Sequence, residues 1–60
     1  MFEPAARQAA LALIAWVKHE HNRLNRRITY EEILIHCRSQ WLLRPSDQQA
    51  AINEAEASQN

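Results

Sequence analysis

Glycine is absent from the 60 residues of this sequence. Without it, the loops that cradle phosphates by close backbone approach in nucleotide-binding motifs are excluded. There is one cysteine, Cys37. That rules out an intrachain disulfide and a four-cysteine zinc site, and a lone thiol suits a reducing compartment, so the sequence points to a cytoplasmic protein. Long apolar runs are missing as well. The longest, Ala9 to Val17, covers nine residues, whereas a bilayer-spanning helix needs about 20. Glu3 in the would-be basic segment, and the lack of a small-residue cleavage site after Val17, argue against a signal peptide. Nor is there charge of one sign. Seven Lys and Arg balance seven Asp and Glu, so bulk charge makes the chain neither a polybasic nucleic-acid tail nor an acidic mimic.

What is present is helix-forming, and it points to an all-α fold: one domain over residues 1–60 with three helices. Ten residues are alanine, which leaves few large side chains for a core. A domain of this size buries a smaller fraction of its surface than larger ones do, so a shared core in a homodimer, or a partner, would help it. Pro4 suits the first turn of a helix, where its missing N–H has no partner anyway. From there to about residue 22, Ala6, Ala10, Leu13, Val17 and Leu24 follow one stripe, widened by Leu11, Ile14 and Trp16. Small Ala6, Ala9 and Ala10 would let another backbone come close, including that of a second copy. Residues 22–27, with Asn22 and Asn25, read as a tight basic connection.

Thr29 followed by Glu32, flanked by Ile28 and Ile33, has the spacing of a capping box with a hydrophobic staple. A second helix is expected over about 30–43. Its inner face is Tyr30, Ile33, Leu34, Cys37 and Trp41, while Ile35 and Leu42, seven apart, form a separate apolar strip. Ser46 and Gln49 repeat the box spacing and place a third helix at about 47–57, the weakest of the three, with residues 58–60 frayed.

Catalytic chemistry finds little footing. His19, His21, His36 and Cys37 are zinc-ligand types, but His19 and His21 lie about 200° apart around a helix and His36 and Cys37 about 100°, so no ion is expected between them. Cys37 on an inner face is a small core hydrophobe rather than a nucleophile, and Glu31 and Glu32 are first-turn acids with a local role in the helix dipole. No catalytic residue, cofactor or metal is assigned.

Two binding readings remain. In the first, the chain is a non-enzymatic protein-binding regulator or inhibitor that docks a helical face on a larger target. Ile35, Trp41 and Leu42 would be the anchors, and Arg38 and Arg44 the polar rim. In size class it resembles the small inhibitors encoded by phages and mobile elements, anti-defence proteins among them. In the second, Arg23, Arg26 and Arg27 bind phosphates, with Tyr30 contacting a sugar or base. The helix, basic turn and capped helix around Ile28-Thr29-Tyr30-Glu31-Glu32-Ile33 resemble the first half of a helix-turn-helix or winged-helix regulator. The third helix departs from that pattern, since Asp47, Glu54 and Glu56 are acidic where a recognition helix presents groups that read bases. A dimeric assembly subunit without a target is the structural alternative.

Overall fold

A computed structural model describes residues 4–59. The chain folds into three helices, α1 (Pro4–Leu24), α2 (Tyr30–Gln40) and α3 (Pro45–Ala57), with no strand among the described residues. No helix there is long and apolar enough to cross a membrane.

α1 runs two residues past the expected end, and the reason is Asn25. Its φ of 53° is left-handed, a conformation that Asn tolerates better than most residues and that terminates helices. The turn is held by His21, whose Nδ1–H donates to the Arg26 carbonyl at 3.0 Å. α2 begins at the capping box expected from Thr29 and Glu32. The Thr29 hydroxyl accepts from the Glu32 N–H and the Glu32 carboxylate accepts from the Thr29 N–H, both at 3.2 Å. Ile28 and Ile33 are both buried, as the two halves of a staple should be.

The end of α2 departs from the sequence reading. The helix stops at Gln40 rather than near residue 43, because Trp41 turns extended at φ −136°, ψ 141° and its ring packs back on the core. Arg44 is also extended, at φ −63°, ψ 149°, which is what a residue preceding proline prefers. The start of α3 is corrected too. Pro45 opens it, Ser46 is not the cap, and no side chain caps the Arg44 position. Instead Asp47 sits in the first turn, where the helix dipole favours an anion, and Arg44 Nε donates to it at 3.1 Å.

The core is Leu13 and Val17 of α1, Ile28, Ile33 and Cys37 at and within α2, and Ile52 of α3, with Ala10, Ala51 and Ala55 between them. Ala6 and Ala9 are buried alongside, so these two and Ala10 pack within the chain, while Ala5, Ala12 and Ala15 are exposed. α3 packs most closely on α1, while α1 and α2 touch least. Helices whose facing residues are small approach closely, and bulky ones hold their axes apart.

The last described residue, Gln59, packs back on this bundle. The Gln59 side-chain amide brackets the buried Ile28 backbone, accepting from its N–H at 2.6 Å and donating to its carbonyl at 2.9 Å. Arg27 Nη2 also donates to the Glu56 carbonyl at 3.3 Å, at the negative end of α3. Asn60 lies outside the described residues.

Candidate functional site

Between α1 and α2, beside the connection that joins them, lies a groove of about 420 Å³. Trp16 and Leu24 come from α1 and Ile35, His36 and Ser39 from α2, with Ile28 from the connection. α1 supplies these residues because it continues to Leu24, and α2 because its capped start fixes which face turns inward. Leu24, expected on the core stripe, is instead partly exposed here, and Leu11 also stands outside the core at 61% exposure.

One wall of the groove is aromatic. The Trp16 indole stacks on the His36 imidazole with centroids 3.8 Å apart and planes 7° from parallel, and Trp41 meets His36 edge-on at 6.0 Å. This stack bridges the two helices that otherwise touch least. Desolvation in it lowers the His36 pKa, partly opposed by Glu20. His36 carries no role in the sequence reading, because a periodicity scan counts histidine as polar. The available signal was a histidine between two tryptophans with ring area to cover.

The charged rim is already paired. Arg23 donates to both Glu20 oxygens at 2.8 and 2.7 Å, and Arg26 to both Glu32 oxygens at 3.2 and 3.0 Å. These hydrogen bonds hold both carboxyls below their usual range and both guanidinium pKa values above theirs. Arg27 faces the other way, toward α3. The three arginines of the connection are therefore not gathered on one open patch. Tyr30 is partly buried, and its hydroxyl accepts from Gln49 Nε2 at 2.6 Å.

Of the proposed anchors, Ile35 is 67% exposed and lines the groove, Leu42 is fully exposed, and Trp41 is half-buried against the core. They do not form the expected continuous strip. The helical spacing between Ile35 and Leu42 is lost when α2 ends at Gln40, and Leu42 stands on the extended connection instead. Arg38 is exposed, and Arg44 is tied to Asp47 at 3.0 Å.

No group of three or more His, Cys, Asp or Glu able to hold a metal ion occurs among the described residues. Cys37 is fully buried, and desolvation raises its pKa, which disfavours the reactive thiolate. Compared with known proteins, the chain matches no family model, no curated protein and no solved structure.

Proposed function

We propose that this chain is a non-enzymatic regulator or inhibitor that docks on a larger protein by taking an amphipathic helix of that protein into the α1–α2 groove. The observation that carries this reading is the exposure of Ile35 beside Leu24 on a groove between two helices. A domain with so thin a core leaves burial free energy unclaimed there, and an apolar partner face recovers about 25 cal/mol for each Å² it covers. The form of the groove favours a helix as occupant, because two helices that touch little and both line it offer the slot that a further bundle helix fills. Charge favours an apolar contact face. The rim carboxylates and guanidinium groups already neutralise each other, so they call for no counter-charge in the centre of the partner. Leu42 and Arg38 are exposed and lie outside the groove lining.

The test is affinity capture with tagged wild type, Ile35→Asp and Leu42→Asp from lysate of the source cell or its host, with and without nuclease. The expected result is a stoichiometric protein that survives nuclease and is lost with Ile35→Asp, while the helical circular-dichroism signal is kept. Recovery of nucleic acid that Ile35→Asp leaves intact and an Arg23, Arg26, Arg27 triple alanine variant abolishes would overturn it. The pairing of Arg23 and Arg26 with their own carboxylates weighs against that outcome.

A further inference from the structure

A second surface lies on the other side of α1, where Arg7, Ala10, Leu11 and Ile14 line a shallow depression of about 50 Å³ with Glu54 of α3. Leu11 is 61% exposed beside it, and Ala12 and Ala15 on the same helix are exposed as well. From this arrangement we infer that a second copy of the chain covers the α1–α3 face, forming a two-fold dimer in which each Leu11 enters its partner's depression.

Charge complementarity selects the occupant. A symmetric two-fold interface uses the same patch on both subunits, so a patch suits itself when an apolar centre lies between one positive and one negative group. Arg7 and Glu54 are those groups, lining the same depression. A two-fold axis through the depression, midway between them, sets Arg7 of each copy against Glu54 of the partner subunit and forms two equivalent ion pairs. Both side chains are available for this, since neither is in an ion pair or side-chain hydrogen bond among the described residues. The wider charge distribution agrees. With Arg23 paired to Glu20 and Asp47 to Arg44, α1 keeps Arg7 and Lys18 and α3 keeps Glu54 and Glu56, so α3 of one copy attracts α1 of the other. A foreign partner would need this same pattern by coincidence, whereas a second copy has it by construction. The face is separate from the α1–α2 groove, so a dimer leaves both grooves open.

Sedimentation equilibrium on the full chain tests the pairing, with circular dichroism confirming that each exposed substitution leaves the helices intact. Wild type should approach twice its 7.0 kDa monomer mass as concentration rises. Arg7→Glu alone and Glu54→Arg alone set like charges face to face and should each raise the dissociation constant at least about tenfold, as should Leu11→Glu. The double variant Arg7→Glu, Glu54→Arg restores opposite charges and should recover most of the loss, while Ile35→Asp should change nothing. A chain still monomeric at millimolar concentration would overturn the inference. So would a dimer insensitive to Arg7→Glu, or one dissociated by Ile35→Asp, which would place the contact in the groove.

Discussion

α1 has two seams, and they differ because of side-chain size. The seam with α3 is the closer one, and there α3 brings Ala51, Ala55 and a single large residue, Ile52, into the core with Ala10 of α1, all buried. Against α2 it presents Trp16, and the answer is His36, so the helices are spaced by two stacked rings. The alanine seam closes and serves stability. The aromatic seam stays open and leaves Ile35 and Leu24 uncovered. In a chain this short the small residues thus decide where the core is, and the large ones decide where a surface is left over.

The largest effect should come from breaking the closed seam. Ile52→Ala removes the only large side chain α3 contributes, at about 2–5 kcal/mol, against a total of roughly 3–9 kcal/mol expected for a domain of this length. A thermal melt followed by circular dichroism should become broad or lose its folded baseline. Removing the lock at the end of the chain comes next. Gln59→Leu leaves the buried Ile28 N–H and carbonyl without the amide that brackets them, which should cost about 1–3 kcal/mol in denaturant unfolding. Thr29→Ala, which removes one half of the capping box, should cost about 0.5–2 kcal/mol in the same assay.

The open seam should respond more to pH than to truncation. The folded state lowers the His36 pKa from 6.5, so below that value the unfolded chain takes up a proton more readily. Stability contributed by the half-buried neutral ring is whole above about 6.5 and is lost as pH falls through the folded pKa. Glu20 and Glu32, both lowered from 4.5, add a second loss on further acidification, beginning near that value. Unfolding followed by denaturant across this range should show the first decline in wild type and its absence in His36→Phe, which keeps a stacked ring without the titration. The smallest stability effect belongs to Ile35→Asp, within about 0.5 kcal/mol because the side chain is exposed.

The sequence made the start of α2 easier to read than its end. Thr29 and Glu32 specify a local interaction between residues three apart, so the start of α2 was legible without knowledge of the rest. Asn25 could likewise be placed in the α1 turn from its tolerance of left-handed geometry. The end of α2 was not legible, because it depends on Trp41 turning back to His36 and the core, a contact between side chains that periodicity does not see. Pro45 misled for a related reason: it stops one helix and starts another equally well, and here it starts α3. The exposure of Ile35 followed from its position off the inner face of α2. The partners of Arg23, Arg26 and Arg27 did not, since two depend on where α2 and α3 come to lie.

The account rests on the uncovered α1–α2 groove being the docking face, and the most direct measurement is calorimetric titration of the captured target with wild type, Ile35→Asp and the Arg23, Arg26, Arg27 triple alanine variant, at low and high salt. The account predicts that Ile35→Asp abolishes binding, that the arginine variant weakens it only modestly, and that salt has little effect. Wild-type affinity in Ile35→Asp, with binding lost in the arginine variant and falling steeply with salt, would contradict it.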